Sequence, residues 1–262
     1  MTREAMEISG ASKELGSGTG KKRLSLRALA IAAGASLAGS LFLAGCQSVS
    51  GFKQVSLLRV IDASYNAPAI NVYVEGSIYV SNIGQGNISA YGQFAPTNNA
   101  PVKVTAASST KALVTSNATL AANKSQTVLI SDINAQYQVQ VLEDQATAAP
   151  SGHSEFRLLN QAPSTGAVDV YFLSGTSTTV YATAKPVITS LAVGATSGYV
   201  TIPSSTLYMV IAPAGTTLSA TATTIYSSAA MALTGGEVRT VLIVDPILVT
   251  QPVQVYIAND VN

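Results

Sequence analysis

The chain has 262 residues, of which 47% are hydrophobic and only 10% charged, with a net charge of +1. Charge so sparse and so balanced excludes the basic footprint of a nucleic-acid binder, and the apolar content excludes a chain disordered throughout. One cysteine and one histidine exclude a disulfide framework or a zinc site built from several cysteines. Residues 1–20 form a polar, unpatterned extension. The first 45 residues hold six basic and three acidic side chains, leaving 8 basic and 10 acidic in the rest. Basic charge peaks at Lys21-Lys22-Arg23, immediately before an uncharged apolar run from Ala28 to Gly45. A positive segment, an apolar segment and small residues after it form the pattern of a secretory signal.

The run ends in Leu43-Ala44-Gly45-Cys46. This tetrad resembles the lipobox of bacterial lipoproteins, whose cysteine is diacylglycerylated before the leader is cut ahead of it. Small residues at 44 and 45 let the backbone enter a peptidase cleft, and the thiolate is the nucleophile for thioether formation. An uncleaved membrane helix with an incidental cysteine is the alternative, since ~18 apolar residues are borderline for spanning. Gln47 stands where Asp is the usual inner-membrane retention signal, so in a Gram-negative cell the resemblance implies the outer membrane. Residues 46–54 are then the lipidated cysteine and a short tether.

From Val55 onward, short runs rich in Val, Ile, Thr and Tyr alternate apolar and polar residues, and nothing sustains a helical period. Strands are predicted at 55–63, 69–75, 77–81, 88–94, 101–106, 111–120, 125–132 and 136–143. The pattern then repeats. Leu58-Arg59-Val60 matches Phe156-Arg157-Leu158, and Ala69 to Val74 matches Ala167 to Phe172, both at an offset of 98. Gly86, Ser89 and Tyr91 match Gly194, Ser197 and Tyr199 at 108, so ten extra residues fall within the Ser/Thr-rich stretch 174–189. Thr127-Val128-Leu129-Ile130 matches Thr240-Val241-Leu242-Ile243 at 113, and Val139-Gln140-Val141 matches Val253-Gln254-Val255. The reading is an all-β protein of two tandem sandwiches, 55–145 and 154–262. Its linker, 146–153, has the Ala/Pro/Ser/Gly composition at which two separable units would be cut first.

The stretch Leu58 to Ser64, followed by Ala67-Pro68-Ala69-Ile70-Asn71-Val72-Tyr73-Val74, resembles the opening of a bacterial domain of unknown function, number forty-three ninety-seven. The second repeat resembles it too, through Arg157 to Pro163 and Val168-Asp169-Val170-Tyr171. Asp62 departs from the family's Asn or His, Tyr65 from a Pro, and Asn71 from the strand Asp. The resemblance implies immunoglobulin-like β-sandwich domains, often on lipoproteins, and supplies no activity or ligand. Because Arg59 and Arg157 recur with Asn71 and Asp169 on the next strand, the expected structural pairs are Arg59–Asn71 and Arg157–Asp169. Tyr73/Tyr171 and Tyr91/Tyr199 are read either as an aromatic face for sugar stacking or as half-buried packing with the hydroxyl at the rim.

No catalytic, cofactor-binding or metal site is expected, and the chain is read as not an enzyme. A Ser-His-acid set would depend on His153, which falls in the proposed linker. The Gly16 to Lys21 stretch lacks the spacing and preceding strand of a phosphate loop. Glu143-Asp144 falls short of the ~6–8 oxygens that calcium needs. The expected partners are the membrane, through lipid on Cys46, and an envelope protein or glycan. Two roles stay open: a structural or protein-interaction lipoprotein, or a glycan or small-ligand module using loops at one end of a sandwich.

Overall fold

Alternation of apolar and polar side chains places one face of each predicted strand inside a core. A computed structural model describes residues 53–66, 68–219, 224–247 and 252–261. The first repeat contains β1 (Ser56–Asp62), β2 (Ile70–Val74), β3 (Ser77–Ile83), β4 (Gly92–Phe94), β5 (Thr97–Ala106), β6 (Ala112–Leu120), β7 (Ser125–Ser131) and β8 (Gln138–Asp144). The second contains β9 (His153–Gln161), β10 (Val168–Leu173), the helix α1 (Thr178–Thr183), β11 (Ile188–Leu191), β12 (Val200–Pro203) and β13 (Thr206–Pro213). It closes with β14 (Tyr226–Ser227), β15 (Met231–Ala232), β16 (Val238–Val244) and β17 (Gln254–Asn259).

Each repeat is a two-sheet sandwich. In the first, the sheet β4-β1-β7-β8 packs on the sheet β3-β2-β5-β6. In the second, β12-β9-β16-β17 packs on β11-β10-β13-β14, with β15 also paired to β13. The architecture expected of an immunoglobulin-like sandwich is present twice, with one parallel pair in each repeat, β1 with β7 and β9 with β16. Leu58, Val60, Ile70, Val72, Val104, Val128 and Ile130 fill the first core. Phe156, Leu158, Val168, Val170, Ile211, Val241 and Ile243 fill the second.

The sheets β4-β1-β7-β8 and β12-β9-β16-β17 are also buried on their other faces, against each other. Ile61, Ala63 and Leu129 from the first repeat form one apolar cluster with Leu159, Leu242 and Val244 from the second. Every residue of β7 is buried, and all of β16 except Arg239. Gly51–Asn262 accordingly form one compact unit.

Two matched glycines let the loops approach across this layer. Gly86 and Gly194 have φ of +81° and +79°, and a Cβ on Gly86 would lie 2.1 Å from the Tyr256 ring of the other repeat. At Gly194 it would lie 2.5 Å from Ile133 Cδ1. The proposed linker is also short of free chain. His153 already belongs to β9, Ala149 is buried, and the Ala149 N–H donates to the Gly236 carbonyl at 3.2 Å.

Candidate functional site

Alternation along β1 sends Leu58 and Val60 into the first core, so Arg59 points out of its own sandwich toward the second repeat. In β9, Phe156 and Leu158 do the same for Arg157. Both guanidiniums therefore enter the shared layer, where they are 2% and 4% exposed. Arg59 Nε donates to Thr127 Oγ1 at 2.8 Å within its own repeat. Its Nη2 donates to Asp260 Oδ1 at 2.5 Å and its Nη1 to the Asn259 carbonyl at 3.1 Å, both in the other repeat. Arg157 makes the reciprocal crossing: Nη2 donates to Asp144 Oδ1 at 2.5 Å, Nη1 to the Glu143 carbonyl at 3.0 Å and Nε to Thr240 Oγ1 at 3.2 Å.

Two hydroxyls on each side complete the set. Thr127 Oγ1 donates to Asp144 at 2.7 Å and Thr240 Oγ1 to Asp260 at 2.7 Å. Tyr91 donates to Asp144 at 2.7 Å and Tyr199 to Asp260 at 2.6 Å. Each arginine also lies over the ring of its own repeat's tyrosine, 4.9 Å from the centroid of Tyr91 and 5.0 Å from that of Tyr199. Two arginines thus face two aspartates, and the layer's charge sums to zero. Burial alone would push the Arg59 guanidinium toward neutrality; Asp260 and Asp144 more than offset it, and its pKa rises. Burial raises both tyrosine hydroxyls, helped by the carboxylates they bond, so Tyr91 and Tyr199 stay protonated donors.

The expected pairs Arg59–Asn71 and Arg157–Asp169 do not form. Asn71 and Asp169 lie on β2 and β10, in the other sheet of each sandwich, and point out of its far face. A whole hydrophobic core separates them from the arginines. Their role is to hold a kink in the neighbouring strand. Asp169 Oδ1 accepts from Ser190 N at 2.7 Å and its Oδ2 from Gly215 N at 2.8 Å. Asn71 Oδ1 accepts from Asn82 N at 2.9 Å while its Nδ2 donates to the Ala107 carbonyl at 3.4 Å. Asn82 and Ser190 sit at matching bulges with φ of 54° and 50°. An amide serves at 71 because one partner is a carbonyl, and a carboxylate at 169 because both are N–H groups.

Glu143 and Asp144 point to opposite faces of β8: Glu143 pairs with Lys124 at the surface, and Asp144 with Arg157 in the layer. His153 Nδ1 lies 3.1 Å from the Ser151 carbonyl. Leu43, Ala44, Gly45 and Cys46 lie outside the described residues. Sequence reading found Arg59, Arg157, Tyr91, Tyr199, Thr127 and Thr240 as repeats but missed Asp144 and Asp260. Val128 pairs with Val141 and Val241 with Ile257, so β17 follows β8 at an offset of 116, and the match of Val139–Val141 with Val253–Val255 at 114 is two residues out of register, which hid the two aspartates.

The motif around Arg59 and Asn71 has a counterpart among known families. Residues 56–171 match the model of DUF4397, a domain of unknown function. The DUF4397 match opens at the first residue of β1 and ends within β10. It therefore takes in the whole first sandwich and both arginines, with Asp144 between them. No curated protein matches the chain.

Proposed function

We propose that the chain is an exported lipoprotein, anchored by a diacylglyceryl group on Cys46, with a non-enzymatic structural or protein-interaction role at the cell envelope. In a Gram-negative cell, Gln47 after the cysteine assigns it to the outer membrane. The observation that carries this reading is Leu43-Ala44-Gly45-Cys46, placed after a charge-free apolar run and containing the chain's one cysteine. The first strand begins at Ser56, ten residues after Cys46. A tether of that length reaches at most about 35 Å, which keeps the double sandwich beside the membrane. The repeated polar side chains support a non-enzymatic role, because they are engaged with one another across the buried layer.

Metabolic labelling with palmitate tests the anchor. Label is expected on the wild-type chain and absent from Cys46→Ser, which should leave the membrane fraction. Label retained by the substituted protein would overturn the assignment.

A further inference from the structure

The two repeats treat one equivalent surface differently. On the outer sheet of the second, the ten-residue insertion folds into α1, and Val180, Tyr181 and Ala184 pack over Tyr171, Leu173, Val210 and Leu218. Tyr171 is 2% exposed there, and its hydroxyl donates to the Thr216 carbonyl at 2.9 Å. The first repeat lacks the insertion. Its equivalent face, carrying Tyr73, is open, and a groove of ≈ 550 Å³ lies between Asn71, Tyr73 and the loop Ala107–Thr110.

A cation stands beside the groove, against the ring of Tyr73. Lys103 stands opposite Tyr73 in register, with its ammonium 4.2 Å from the ring centroid, and it has no ion pair among the described residues. Thr105, opposite Asn71 on the same face, is fully buried and does not reach the groove. Asn71, Ser108, Ser109 and Thr110 add amide and hydroxyl groups along the wall.

We propose that this open sheet face of the first repeat binds an acidic saccharide. The hydroxyl and amide wall matches sugar hydroxyls, and the unpaired Lys103 matches a carboxylate or sulfate. A membrane surface is the poorer fit, because lipid recognition takes clusters of four to eight basic residues, roughly, and Lys103 has only Lys111 nearby in sequence. The groove is bounded by Asn71 and Tyr73 on the sheet face and by the loop between β5 and β6 at one end of the sandwich. Binding there rests on the exported reading only for where such a glycan is met, so binding in vitro can fail while the lipid anchor stands.

The test is a panel of immobilised uronate, sialylated, sulfated and neutral oligosaccharides, probed with residues 47–262, which contain the whole compact unit. Retention on acidic members is expected, with Lys103→Gln weakening it by about 10-fold or more, the size of one lost charge-assisted bond. Lys111→Gln should weaken it less, and circular dichroism should show both variants folded. No retained saccharide, equal retention of neutral ones, or binding indifferent to Lys103→Gln would overturn the proposal. So would binding of phosphatidylglycerol vesicles in place of the saccharides.

Discussion

Replacing Asp144 by Ala is expected to lower the stability of the whole unit by about 3–5 kcal/mol, the cost of leaving one member of a buried ion pair alone. Three groups lose a bond to a buried charge at once. Arg157 Nη2, Thr127 and Tyr91 all bond this one carboxylate, which is fully buried. Arg59 loses the same charge at 3.7 Å. The neighbouring substitution Glu143→Ala is the internal control. Glu143 and Lys124 are 59% and 49% exposed, and such surface pairs contribute about 0–1 kcal/mol. Urea unfolding of the two variants should separate them clearly. The double substitution Arg157→Met with Asp144→Leu should recover most of the loss, because an apolar pair of similar volume removes the unpaired charge. A loss confined to the second repeat would contradict the reciprocal crossing.

The second large effect is a gain. Asp62 faces the end of the first core, where its Oδ1 accepts from the N–H and hydroxyl of Ser64, at 2.9 Å and 2.5 Å. Its Oδ2 is buried and unpartnered. Burial, with Asp132 nearby, pushes its pKa up to about 6 against the lowering effect of the Ser64 bonds. The folded protein therefore holds this proton more tightly than the unfolded chain, whose carboxyl titrates near ~3.9. Its contribution is fully present below about pH 4 and is lost as pH rises through about 6, on the order of 2–3 kcal/mol by pH 7. The second repeat shows the remedy. Asn160 occupies the matching place, and its Nδ2 donates to the Gly166 and Leu191 carbonyls at 2.9 Å each. Asp62→Asn should raise stability at pH 7 and flatten its pH dependence between about 4 and 6. Thermal melts across that range check it; an unchanged pH profile would sink the argument.

Much of the fold was legible in the sequence. The predicted strand at 55–63 is β1 at Ser56–Asp62, and 125–132 is β7 at Ser125–Ser131, because alternation and β-branched content marked both. The strand predicted at 88–94 is shorter in the structure: Ile88 makes only an isolated bridge to Ile61, and β4 is limited to Gly92–Phe94. What stayed hidden was the partner of each arginine. Alternation tells that Arg59 faces away from Leu58 and Val60, but not whether that far side meets water or another sheet. A clue was present in the apolar residues on both faces of Leu58 to Ile61 and of Val241 to Val244, since a sheet with one wet face would alternate. Asn71 and Asp169 misled for the same reason. Strands adjacent in sequence need not be adjacent in one sheet: β1 and β2 belong to opposite sheets of the sandwich.

The central claim is that the two sandwiches are one cooperative unit, joined by the Arg59–Asp260 and Arg157–Asp144 crossings and the apolar cluster around Leu129 and Leu242. Equilibrium urea unfolding of residues 47–262, followed by amide signals from β5 in the first repeat and β13 in the second, tests it most directly. Coincident single transitions in both sets of amides are the predicted result. A second repeat that stays folded after the first has melted, or the reverse, would contradict it.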